Sequence, residues 1–168
     1  GFIQKHKNTR QIFGIEYSVI RSDINRINKN DYDKLINKRR LNLGISMGGS
    51  DPMNLSKLVI KEIKEISIPT TIWLALGSEY KNDINELFVE IKSSKYVDLV
   101  VGNVFEDLWL FLDKCQLVIL QGGLTTTEAA FRGIPSINIS KFVTQSEINR
   151  KLFESNSSWF IDNENIGQ

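Results

Sequence analysis

Two glycine turns carry the residue types that could do chemistry. Residues 46–52 read SMGGSDP, and residues 120–130 read LQGGLTTTEAA. Each follows a short apolar run and precedes a segment of helical period, the setting in which backbone N–H groups and a helix dipole hold an anion. Glycine lets the chain approach a ligand closely and take a positive φ without a Cβ clash. The second turn adds three hydroxyls, Thr125, Thr126 and Thr127, at a helix start, with Glu128 in the first turn. Taken singly, each is an ordinary strand-to-helix turn, and Glu128 is an acidic residue completing a cap. Taken together in one sheet, they would face one crevice. A phosphate at a helix end beside a carboxylate that accepts from a ribose diol describes a nucleotide, since an ionised carboxylate accepts from two hydroxyls at once.

Other chemistries lack their residues. There is no His or Cys cluster for zinc, no Gly-Lys-Ser/Thr loop for a nucleoside triphosphate, and no Gly-x-Ser-x-Gly nucleophile turn. Gly-x-Gly-x-x-Gly follows no candidate strand, which weighs against a nicotinamide cofactor. The single histidine, His6, reads as exposed and non-catalytic. The single cysteine, Cys115, lies in the apolar run FEDLWLFLDKCQLVIL and reads as a buried structural thiol in a reducing compartment.

The elements that must position these turns follow from the pattern. The 168 residues are 41% hydrophobic and 24% charged, the balance of one domain able to bury a full core. The net charge of +1 gives no field that would hold nucleic acid or a membrane nonspecifically. It is unevenly spread, since residues 1–40 carry ten basic and four acidic side chains. That excess reads as a solvated face. No apolar stretch approaches the roughly 18 to 20 residues of a membrane span, and no leader opens the chain, so a soluble, cytoplasmic protein is predicted. Beginning at Gly1 in continuous sequence, the chain reads as a piece of a longer protein.

From residue 41, short β-branched runs alternate with helix-period segments. Strands are predicted over 41–47, 70–76, 97–101, 117–120, 136–139 and 159–161. Helices are predicted from Pro52, capped by Ser50 or Asp51, and over 82–91, 106–114, 127–132 and 146–155. This succession predicts an α/β fold, a doubly wound parallel six-stranded Rossmann-like sheet with its ligand crevice beyond the carboxyl ends of the strands. Residues 1–40, with one strand-like run at 17–20, read as a boundary segment from a preceding domain. The domain proper is 41–168.

SMGGSDP followed by LVILQGGLTTTEAAFRGIPSINI resembles the carboxyl-terminal half of the GT-B glycosyltransferase superfamily. Similar members include the N-acetylglucosaminyltransferase that makes lipid II and the UDP-sugar hydrolase of the pseudaminic acid pathway. FGIEYSVIRSDI, at 13–24, resembles the hydrolase type's crossing between domains, and VGNVFEDLWLFLDKCQLVI and TQSEIN also match. The resemblance implies that Gly48, Gly49 and Ser50 approach the phosphates of a UDP-sugar. It implies that Gly123, Leu124 and Thr125 contact phosphate, Glu128 holds the ribose hydroxyls, and a loop of Gly102, Asn103 and Val104 reads uracil through its backbone. Gln145, and more weakly Asn149, match a position near the donor sugar. For Asp51, helix capping is the better reading.

Two departures stand out: Leu124 replaces the hydrolase type's Ser, and Gln121 replaces a small residue and narrows the crevice. The resemblance further implies that the amino-terminal domain of the same protein supplies acceptor and catalytic base, and that no metal is needed, because backbone donors stabilise the departing diphosphate. The reading is the UDP-sugar-binding half of a hydrolase or glycosyltransferase of surface polysaccharide biosynthesis, inactive alone. The alternative is a noncatalytic interaction or oligomerisation module.

Overall fold

A computed structural model describes residues 17–104, 107–140, 150–154 and 158–162. In chain order the elements are α1 (Lys29–Ile36), β1 (Leu41–Ser46), α2 (Leu55–Ile63), β2 (Thr70–Leu76), α3 (Ile84–Ile91), β3 (Val97–Asn103), α4 (Leu108–Leu112), β4 (Leu117–Leu120), α5 (Leu124–Arg132), β5 (Ser136–Ser140) and β6 (Trp159–Asp162). Residues 150–154 are helical as well. The strands form one sheet in the order β3-β2-β1-β4-β5-β6, with every neighbouring pair parallel.

The sequence pattern accounts for this arrangement. Ile45, Ile72, Leu74, Val118 and Leu120 are fully buried, as befits central strands covered on both faces. On one face, Leu55, Val59, Ile60 and Ile63 of α2, at three- and four-residue spacing, join Leu87 and Ile91 of α3 against the sheet. On the other, Trp109 and Leu112 of α4 and Ala129 of α5 pack on Val118 and Leu120. The fold is therefore α/β and doubly wound. The winding reverses between β1 and β4, so the carboxyl ends of these two strands open at the crevice of such sheets.

Several boundaries differ from the sequence expectation. The run at 17–20 pairs with no strand among the described residues; instead Ile20, Ile24 and Ile27 pack against the cluster around Trp109. The stretch after it forms α1, capped by Asn28, whose side chain accepts from the Asn30 N–H. Gln116 ties this stretch to the sheet by donating to the carbonyls of Leu35 and Arg40 and accepting from the N–H of Asn42. Helix α2 starts at Leu55 rather than Pro52, and α5 at Leu124 rather than Thr127. Strand β3 runs on to Asn103, so Gly102 and Asn103 are strand residues paired with Ala75 and Leu76, not loop residues. Helices α3 and α4 are shorter than predicted, starting at Ile84 and Leu108 and ending at Ile91 and Leu112.

Cys115 is fully buried, and burial pushes its thiol up to about 12. Because only the thiolate attacks, a maleimide at pH 8 is expected to leave the native chain unlabelled and to label it fully in denaturant, as read by intact mass.

Candidate functional site

The turns after β1 and β2 and helix α5 border one cleft of about 280 Å³. Gly48 and Gly49 form the wall after β1, Gly77 and Ser78 the wall after β2, and Thr125 and Glu128 the wall from α5. The first glycine turn thus shares this space with the helix that follows the second, while Gly122, Gly123 and Leu124 themselves do not line it. A larger cavity of about 470 Å³, near Pro135 and Trp159, is lined by no charged side chain among the described residues.

The two helix ends differ chemically. Asp51 is buried, with a positive φ of 36°, and its carboxylate Oδ1 and Oδ2 accept from the N–H groups of Leu55 and Ser56 at 2.8 and 2.9 Å. The start of α2 is thus already answered by a fixed negative charge, which satisfies orphan donors and complements the dipole. Asp51, not Ser50, is the cap, reaching forward to a helix that begins later than predicted. What the first turn can offer a ligand is the backbone of Gly48 and Gly49. Ser50 is exposed and does not line the cleft.

The start of α5 has no such cap. Gly123, at φ 96°, precedes Leu124, and no side chain bonds the helix end. The N–H groups of Leu124 and Thr125 have no partner within the helix, as for any first turn. Of the three threonine hydroxyls, Thr126 donates to Asn138 Oδ1 in the core and Thr127 to its own turn at the Leu124 carbonyl. Thr125 alone lines the cleft, and the Leu124 side chain is 64% exposed, away from it.

Glu128 lies in the second turn of α5, not the first as predicted, three residues beyond Thr125 and therefore on the same helix face. It lines the cleft although only 8% exposed. Its Oε2 accepts from the Trp109 indole Nε1–H at 2.8 Å. A carboxylate so placed retains Oε1 for a further donor.

Val104 lines the cleft, but its N–H donates to the Leu76 carbonyl at 3.0 Å, so its own carbonyl is what remains for a base edge. Gly102 and Asn103 do not line it; the Phe111 ring lies against Gly102, 2.6 Å from where a Cβ would stand. Gln121 packs against the first turn, its Oε1 3.1 Å from the place of a Cβ on Gly48. Gln145, Asn149 and His6 lie outside the described residues.

Four contributors escaped the sequence reading. Arg21 borders the cleft with its side chain about half exposed and paired with Asp23 at 2.8 Å, the one cation among the described residues that line it. Its position in the 13–24 segment was the available signal, lost when its charge was pooled into a solvated basic face. Gly77 and Ser78 follow a strand directly, as the two recognised turns do. Trp109 is visible only through the contact it makes.

No family model matches the chain. An uncharacterized protein of Methanocaldococcus jannaschii is 26% identical over 155 residues, which are 91% of this chain and 31% of that protein. The chain thus spans about a third of the length of this curated relative. Among solved structures, MurG of Acinetobacter baumannii superposes with a TM-score of 0.68 at 18% identity, covering 80% of this chain and 40% of its own. The glycotransferase of kitacinnamycin gives 0.57 at 14%, covering 88% and 35%. With a parallel, doubly wound sheet and these neighbours, the chain has the fold of a GT-B carboxyl-terminal domain.

Proposed function

We propose that the cleft binds the nucleoside diphosphate of a sugar donor, a UDP-sugar, and that the chain is the donor-binding half of a GT-B type enzyme. One observation carries this reading: Thr125 and Glu128 share a face of an uncapped helix and meet the Gly48–Gly49 turn across a single cleft. The N–H groups that begin α5 suit a phosphate, and Arg21 adds a positive charge on the rim. Glu128 suits a ribose diol, and the Val104 carbonyl suits the N3–H of uracil.

Glu128 is engaged by Trp109, and the cleft's other side chains among the described residues include no free base. The group that activates an acceptor or water therefore comes from outside these residues, in line with a relative of which the chain covers 31%. Sugar transfer or sugar-nucleotide hydrolysis, in surface polysaccharide synthesis, is the whole protein's proposed task, and this chain alone turns over nothing.

Calorimetry tests the reading. UDP is expected to bind with micromolar to millimolar affinity, UMP about tenfold more weakly, and uridine more weakly still, because the phosphates meet backbone donors and Arg21. Equal affinity for UDP and uridine, or no binding of UDP, overturns it.

A further inference from the structure

Trp109 sits between two charged groups. Its indole N–H donates to Glu128 Oε2 at 2.8 Å, and the guanidinium carbon of Arg132 lies 5.2 Å from the centre of its ring. Arg132 is itself held, pairing with Asp113 and donating Nη1–H to the Asn25 carbonyl at 2.9 Å. Trp109 is 4% exposed and Glu128 8%, so the bond is shielded from competing water. Glu128 and Arg132 are one turn apart on α5, close enough for an ion pair, yet each charge is turned to a different partner.

Without the indole donor, the Glu128 carboxylate is free to swing toward Arg132, and Oε1 is no longer presented to the cleft. Resting on the nucleotide reading above, we infer that Trp109 is a positioning residue: it holds Glu128 in the rotamer that grips the ribose diol, and Arg132 steadies the indole from its other side. The chain before β1 takes part, since the Asn25 carbonyl fixes the arginine. Trp109 also borders the cleft, and in this role it acts through the carboxylate.

Comparing UDP with 2′,3′-dideoxy-UDP isolates that action, because only the former offers a diol. Trp109→Phe keeps a ring beneath Arg132 and removes the donor. The variant is expected to weaken UDP binding about five-fold, the worth of one hydrogen bond, and to leave dideoxy-UDP unchanged. Equal weakening of both ligands means a packing role and overturns the inference, as does no change in either.

Should the variant fail to fold, the wild type still answers. Its Trp109 indole N–H resonance is expected to shift on adding UDP and to stay in place on adding dideoxy-UDP, and a resonance indifferent to UDP overturns the inference. A wild type that binds neither nucleotide overturns the nucleotide reading itself, an outcome distinct from wild-type binding with an indifferent Trp109.

Discussion

Glu128→Ala is expected to weaken UDP binding by about 3 kcal/mol, roughly 100-fold, because two ribose hydroxyls lose a charged acceptor. The same substitution should leave 2′,3′-dideoxy-UDP binding within about two-fold, since a ligand without the diol never used the carboxylate. Alanine also strands the buried Trp109 N–H, costing about 1 to 3 kcal/mol of stability, so a melt must accompany the titration. Glu128→Gln separates the two effects. Its amide oxygen still accepts from the indole while its charge and one acceptor are gone, so the fold should hold and UDP affinity should still fall about ten-fold. Undiminished UDP binding by the glutamine variant that melts like wild type would remove Glu128 from the site.

The strands were legible because burial on both faces writes itself as short apolar runs. Thr70–Leu76 and Leu117–Leu120 stand where the pattern puts them. That the first glycine turn and helix α5 share a cleft has a topological reason: connections at the carboxyl ends of neighbouring strands open on one side. The helix starts were not. Proline is favoured in a first turn, so Ser50-Asp51-Pro52 reads as a start, yet the Asp51 carboxylate reaches past it to Leu55 and Ser56. The three threonines at 125–127 are β-branched and weak helix formers, yet α5 begins at Leu124. Side-chain bonds override that preference, because Thr126 bonds the buried Asn138 and Thr127 its own turn. Trp109 was beyond reach for a different reason. Its partner, Glu128, lies far off along the chain, and local periodicity carries no such information.

Gly77 and Gly49 lie against each other in the cleft lining and should respond oppositely to a methyl group. A Cβ on Gly77 would stand 2.4 Å from both the Cα and the carbonyl oxygen of Gly49. These are backbone atoms, further held by the Glu79 N–H donating to that carbonyl at 3.1 Å, so no side chain can rotate away. Gly77→Ala is therefore expected to cost about 3 kcal/mol, the upper range for overpacking. The melting temperature should fall by about 6 to 12 °C, and UDP binding should be lost as the turn is pushed aside. A Cβ on Gly49 meets nothing within 4 Å, and its φ is not in the left-handed region. Gly49→Ala should consequently melt within about 2 °C of wild type, the surface-substitution range. Its methyl group would nonetheless stand on the wall of the cleft and hinder a diphosphate, weakening UDP binding about ten-fold. If the turns served only the fold, Gly49→Ala would be silent in both measurements. A variant that keeps its melting temperature and loses UDP can be explained only by a ligand resting against that turn.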